Sequence, residues 1–154
     1  MHIARAKPDD AAVLTDIAFA AKRHWGYPKK WIESWRDMLT VQPEFITSHE
    51  TYAAILDGRT VGFYALGRKD DKLDLLHMWV LPDVMGRGVG RSLFYHSLER
   101  TRELGFRELE IESDPHAEGF YRHMGARRVG ANIKELDGQR RELSILIYEI
   151  YPVA

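Results

Sequence analysis

The chain of 154 residues has no cysteine. That removes disulfides, cysteine-ligated zinc and any thiol nucleophile, and it suits a reducing compartment. Excess charge of either sign is missing too: 22 Lys and Arg stand against 23 Asp and Glu, for a formal charge of −1. A broad basic face for nucleic acid is therefore not expected. The opening M-H-I-A-R-A-K-P-D-D lacks the apolar core of a signal peptide. No stretch approaches the roughly 20 apolar residues of a membrane span. The expectation is a cytoplasmic protein with no membrane or nucleic-acid partner. What remains is ordinary for a globular chain, with 45% hydrophobic, 29% charged and 11% aromatic residues. The length suits one domain, residues 1–154, able to bury a core without staples.

Periodicity sets out the elements. His2 to Ala6 alternates weakly and reads as a short strand. Pro8, Asp9 and Asp10 suit a helix start, and Val13, Leu14, Ile17, Ala18, Ala21 and Trp25 follow at helical spacing until Gly26. A second helical piece begins at Pro28, with Trp31, Trp35, Met38 and Leu39 on one face. From Thr51 the period changes to that of strands. Thr51–Leu56 and Thr60–Leu66 flank Asp57-Gly58, a strong hairpin signal. After a charged turn, Leu73–Leu81 makes a third strand and completes an antiparallel meander. A helix then carries Val89, Leu93, Phe94, Leu98 and Thr101 on one stripe and stops at Gly105. Arg107–Glu112, Arg127–Ile133 and Leu143–Ile150 read as strands, with a short helix at Ala117–Met124 and a turn at Asp137-Gly138. No linker or repeat divides the chain, so a single α/β domain with a mixed sheet is expected.

The chemistry concentrates at V-L-P-D-V-M-G-R-G-V-G-R-S-L, residues 80–93. A strand, a glycine-rich turn and a helix start form an anion site, because free N–H groups converge there and the helix dipole favours negative charge. Neither common phosphate loop fits. In the pattern G-x-x-x-x-G-K-[ST], Met85 replaces the first glycine and Arg91 the lysine; in G-x-G-x-x-G, the third glycine falls on Arg91 or Leu93. Both also follow parallel strands, whereas this one closes a meander.

The turn instead resembles the [QR]-x-x-G-x-[GA] pyrophosphate signature of the GCN5-related N-acetyltransferase (GNAT) superfamily, with Met85 where Gln or Arg is usual. A second segment, S-D-P-H-A-E-G-F-Y-R-H-M-G-A at 113–126, resembles the family's N-x-x-A-x-x-F-Y-x-x-x-G. Ala117, Phe120, Tyr121 and Gly125 fall at the expected spacing. The resemblance runs from Ile3 to Tyr148. It implies a mixed, mostly antiparallel sheet of six to seven strands flanked by helices and splayed between the fourth and fifth strands. It also implies direct transfer of an acetyl group from acetyl-coenzyme A to the amine of a small molecule or peptide, with no metal. The expected cofactor contacts are Met78, Trp79, Val80, Met85, Gly86, Arg87, Gly88, Val89, Gly90, Arg91, His116 and Phe120. A backbone N–H within Met78–Val80 would polarise the acetyl carbonyl.

Tyr121 occupies the place of the family's general acid; a phenol of pKa about 10 is protonated at neutral pH and can donate to the departing thiolate. Phe120 and Tyr121 also suit core packing. For the base, Asp74 lies where some members place a Glu, and His77 has a better intrinsic pKa. Glu110, Glu112 or a chain of waters are further options. Asp74 equally suits a solvated strand start and His77 a satisfied core position. His116 and His123 belong to no metal-binding spacing. The aromatic run from His24 to Trp31 suits an acceptor wall formed by Trp25 and Tyr27, core packing, or a homodimer contact, with Trp25 and Trp31 better suited to the core than Tyr27. A family member that binds acyl-CoA as a sensor without turnover is the alternative, motivated by Met85 and the absence of an obvious base.

Overall fold

Turn chemistry decides where the chain reverses. At Asp57-Gly58 and again at Asp137-Gly138 both residues have positive φ (53° and 76°; 55° and 73°). That is the backbone of a two-residue turn whose twist matches the flanking strands. The structure, a computed structural model, describes residues 1–151. In chain order its elements are β1 (His2–Arg5), α1 (Ala11–Arg23), α2 (Lys29–Ser34), α3 (Arg36–Leu39), α4 (Pro43–Ser48), β2 (Glu50–Leu56), β3 (Arg59–Lys69), β4 (Lys72–Val80), α5 (Val89–Glu103), β5 (Glu108–Ser113), α6 (Glu118–His123), β6 (Arg127–Leu136) and β7 (Gln139–Glu149).

The strands form one seven-stranded sheet in the order β1-β2-β3-β4-β5-β7-β6. The pairs β1–β2, β2–β3, β5–β7 and β7–β6 are antiparallel. The β4–β5 pair is parallel, through Leu73–Leu109 and Asp74–Glu110. The expected mixed, mostly antiparallel sheet with flanking helices is the observed architecture.

The chain gathers into two compact units. The first comprises Met1–Leu66 with Leu76–Ser97. Its core joins Leu14, Ile17, Ala18 and Phe19 of α1 to Ile32, Leu39 and Ile46 of the next three helices and to Ala53 and Phe63 of the sheet. Each fully buried aliphatic side chain contributes about 1.5–3 kcal/mol relative to exposure. Among the described residues, the second unit comprises Gly67–Leu75 and Leu98 to Tyr151. Leu109, Ile111, Leu146 and Tyr121 are among its buried side chains.

Three details differ from the periodicity reading. The piece after Pro28 is not one helix: it breaks at Trp35 into α2 and α3. The break shifts the helical phase, so Trp31 and Leu39 are buried while Met38 faces solvent. Val13, placed on the buried stripe of α1, is also exposed. The six-residue α4 has no apolar stripe long enough to register as a period, and the sequence reading passes over it. Strands β6 and β7 run on to the Asp137-Gly138 turn, because cross-strand hydrogen bonds continue where hydrophobic alternation has faded.

Candidate active site

Beyond β4, Leu81 N–H donates to the carbonyl of Val61 at 2.8 Å, and Pro82–Val84 make one tight turn. Gly86 and Gly88 follow with φ of 82° and 85°, a direction that L side chains avoid. Nothing lies within 4 Å of where either Cβ would be, so backbone direction and not crowding requires glycine. The first helical bond of α5 runs from Ser92 N–H to Gly88 O at 3.1 Å. Gly88 is therefore the N-cap, and the N–H groups of Val89, Gly90 and Arg91 begin a helix without partners inside it. The 15-residue helix adds a dipole worth roughly half a positive charge at this end. Gly86, Arg87, Gly88 and Arg91 are exposed, Met85 is half-buried, and Val89 is buried and anchors the turn. A diphosphate fits this donor set: exposed guanidinium groups beside helix N–H groups that have no partner inside the helix.

Sequence reasoning missed Gly62, on β3. A Cβ there would stand 2.8 Å from the carbonyl oxygen of Trp79 and 3.0 Å from Cδ1 of Leu93. Glycine thus lets α5 and the end of β4 come together, which sets the position of both the glycine turn and the Met78–Val80 backbone. A lone glycine inside a strand pattern, T-V-G-F-Y, was the available signal.

On β4, Met78, Trp79 and Val80 are half-buried and His77 is buried. The indole N–H of Trp79 donates to Nδ1 of His77 at 2.9 Å. The imidazole also packs against the rings of Phe45 and Phe63, with centroids 5.4 and 5.6 Å away. Burial, aided by the charge of His49, lowers its pKa to about 4. At neutral pH His77 is therefore uncharged, and with Nδ1 accepting, its proton sits on Nε2. It has no free lone pair for an incoming ammonium proton, which favours its role in the core.

The same burial makes a pH prediction. An unfolded histidine titrates near 6.5, so unfolding takes up a proton between about pH 6.5 and 4. His77 contributes full stability above that window and loses it as pH falls through it, on the order of 3 kcal/mol in total. The expected result is a melting temperature that drops between pH 7 and 5 in the wild type and drops less in His77→Phe. Equal slopes in the two proteins would show that His77 does not control the acid limb.

In the second unit, Asp74 is half-buried and in register with Glu110 on the parallel neighbour. Burial raises the Asp74 carboxyl above its ordinary pKa; the charges of Glu110 and Glu112 add to the rise, and Lys69 and Lys72 oppose it. Glu110 is buried and paired with Lys69 and, at 3.4 Å, with Lys72. Burial would raise the Glu112 carboxyl as well, but hydrogen bonds from Lys134 and Asn132 outweigh it and hold the group below its usual range. Of the three carboxylates, Asp74 has the environment that a proton acceptor needs.

Tyr121, on α6, is buried; its backbone N–H donates to the carbonyl of Ala117, and its own carbonyl accepts from the N–H of Ala126. Burial, with the charge of Asp114 second, pushes its phenol well above the ordinary tyrosine value. It stays protonated across the neutral range. Phe120 meets the Tyr121 ring edge-on at 5.3 Å and is half-buried. His116 is exposed on the preceding loop, where its N–H donates to the Asp114 carboxylate at 2.9 Å, and His123 is exposed at the end of α6.

The aromatic run divides. Trp31 is 7% exposed and belongs to the core, whereas Trp25 is 39% exposed. The expectation that Trp25 suits the core is corrected: α1 ends at Arg23, and Trp25 falls in the turn beyond it, off the buried stripe. Tyr27 is half-buried, 5.1 Å from Trp35 edge-on and 5.8 Å from Trp31 in a stacked arrangement.

A mixed seven-stranded sheet whose fourth strand runs into a glycine turn and the start of a helix is the framework of acyl-CoA-dependent acyltransferases. The chain belongs to the acetyltransferase (GNAT) family, whose family model matches residues 13–126. Among solved structures it is similar to a GCN5-related N-acetyltransferase from Rhodopseudomonas palustris (23% identity, 96% of this chain and 94% of that one, TM-score 0.80). It is also similar to the PaiA N-acetyltransferase of Thermoplasma acidophilum, solved with coenzyme A (19%, 96% and 98%, TM-score 0.76). A third is a GNAT family acetyltransferase from Brucella melitensis in complex with acetyl-CoA (21%, 98% and 88%, TM-score 0.65). No curated protein matches it in sequence. Among the described residues no helix is long and apolar enough to cross a membrane.

Proposed function

We propose that this chain is a cytoplasmic N-acetyltransferase that moves an acetyl group directly from acetyl-CoA to the amine of a small molecule or peptide. The observation that carries the reading is the turn at Gly86–Gly88, whose positive φ angles lead into the start of a 15-residue helix, where the N–H groups of Val89, Gly90 and Arg91 have no partner inside the helix. Family membership and neighbours solved with coenzyme A or acetyl-CoA support it. Gly86, Arg87, Gly88, Val89, Gly90 and Arg91 would hold the pyrophosphate, with Met85 beside them. Met85 lacks the polar group usual at that position, but backbone amides bind phosphate oxygens whatever the side chain.

When bound, acetyl-CoA supplies an activated thioester carbonyl and a thiolate leaving group. An amide of Met78, Trp79 or Val80 would donate to the carbonyl oxygen as negative charge develops there. Tyr121 holds a proton on Oη and is the general acid for the thiolate. His116 and Phe120 would border the cofactor. Asp74, with its raised pKa, is the preferred acceptor of the amine proton over His77, whose Nδ1 is engaged. Tyr27, half-buried in the connection between α1 and α2, would face the acceptor, with the exposed Trp25 beside it.

The test is thiol release from acetyl-CoA across amino acids, polyamines, aminoglycosides, arylalkylamines and peptides, alongside calorimetric titration with acetyl-CoA. Release above the uncatalysed rate on at least one class is expected. Tight binding without release on any amine would favour an acyl-CoA sensor instead.

A further inference from the structure

Lys22 is a lysine only 5% exposed, in the last turn of α1. Its Nζ lies 4.2 Å from the centroid of the Trp35 ring, 5.0 Å from Tyr27 and 5.9 Å from Trp79. These rings come from three separate places: the turn after α1, the joint between α2 and α3, and the end of β4. A desolvated ammonium is costly to bury, and the negative faces of the rings and the C-terminal end of the α1 dipole each lower that cost. Cation–π attraction is strongest where water is excluded. The rings are also packed on one another, with Tyr27 and Trp31 both meeting Trp35 edge-on.

Trp79 links this cluster to the reaction centre proposed above. Its ring lies 5.9 Å from Nζ of Lys22 and its indole N–H donates to His77, while its carbonyl oxygen lies 2.8 Å from where a Cβ at Gly62 would stand. The cluster packs against the core that contains Phe63, whereas the position next to Phe63, Gly62, faces Val89 and Leu93 of α5. Successive strand residues point to opposite faces. The aromatic cluster therefore lies on the sheet face opposite α5 and its glycine turn, away from the donor phosphates.

We propose that Lys22 is a positioning residue for the acceptor. Its ammonium fixes Tyr27, Trp35 and Trp79 as one wall, against which the amine substrate is held for attack from the face opposite α5. This rests on the acetyl-transfer reading. It adds that the wall is built around an internal cation and that the lysine acts through the rings without touching the reacting atoms.

Two readouts test it in the full chain. In the first, which needs no acceptor, Lys22→Ala leaves room beneath the rings and is titrated with tetramethylammonium, a cation that cannot be acetylated. A saturable change in indole fluorescence in the variant and none in the wild type is expected. No saturable response in a variant whose circular dichroism matches the wild type would overturn the cage. In the second, Lys22→Met keeps the side-chain length without the charge, and the probe acceptor is the amine with the highest kcat/KM in the thiol-release panel. The acceptor KM should rise at least fivefold, with KM for acetyl-CoA within twofold, and Lys22→Arg should restore it. A lowered melting temperature with unchanged acceptor KM would reduce Lys22 to a structural residue and overturn the proposal. If the wild type turns over no amine, the acetyl-transfer reading fails, and the fluorescence titration still decides whether Lys22 holds the rings.

Discussion

Gly88→Ala is expected to weaken acetyl-CoA binding at least tenfold. The φ of 85° at this position is one that a residue with a Cβ adopts only at a cost of about 1–2 kcal/mol. Open space around the missing Cβ means that the penalty is wholly conformational. The chain can relieve it by rotating the peptide that leads into α5, and that rotation swings the N–H groups of Val89 and Gly90 away from the phosphates. A loss of about 1.4 kcal/mol is already tenfold in affinity. The same substitution at Gly130, where φ is ordinary and nothing lies within 4 Å, is the control and should leave binding unchanged. Titration calorimetry of both variants decides the matter. Equal affinity in Gly88→Ala and wild type would remove the glycine turn as the donor site.

The second large effect belongs to Tyr121→Phe, which should lower kcat tenfold or more while acetyl-CoA binds within twofold of wild type. The substitution removes the hydroxyl of a buried ring, so packing with Phe120 is kept while the proton on Oη is lost. General acid catalysis is commonly worth about 10²–10⁴ in rate. The pH profile gives a separate signature. Because burial and Asp114 raise the phenol above its ordinary value near 10, the acid form persists to higher pH than in a free tyrosine. The wild-type rate should therefore show no fall from loss of this proton below about pH 10. Unchanged turnover in the phenylalanine variant would assign Tyr121 to packing alone.

The structure of these two segments was readable in the chain for the same reason: each is a local pattern. Met85 to Gly90 and Ala117 to Gly125 carry their meaning in spacing, since a turn and a helix start are made by neighbouring residues. The hairpins at Asp57-Gly58 and Asp137-Gly138 were legible in the same way, from two residues that tolerate positive φ. Trp25 shows the limit. Helical spacing from Val13 to Trp25 places it on the buried stripe, but the helix stops at Arg23 and the stripe stops with it. Met38 fails likewise, because a break at Trp35 resets the phase. Periodicity tells which residues share a face and not where the element ends.

The sequence alone determined the seven strands and their order along the chain, the meander, the glycine turn at the head of α5 and the tyrosine of α6, because hydrophobic period and turn chemistry act over a few residues. Only the tertiary structure decided what depends on distant segments meeting. Nothing beside Lys22 foretells that the rings of Trp35 and Trp79 meet its ammonium, and nothing beside Gly62 foretells a carbonyl 2.8 Å from its absent Cβ. The raised pKa of Asp74 and the engaged Nδ1 of His77 also arise from burial and partners that the fold supplies. The glycine turn is written in adjacent residues, whereas the aromatic cluster around Lys22 is assembled by packing.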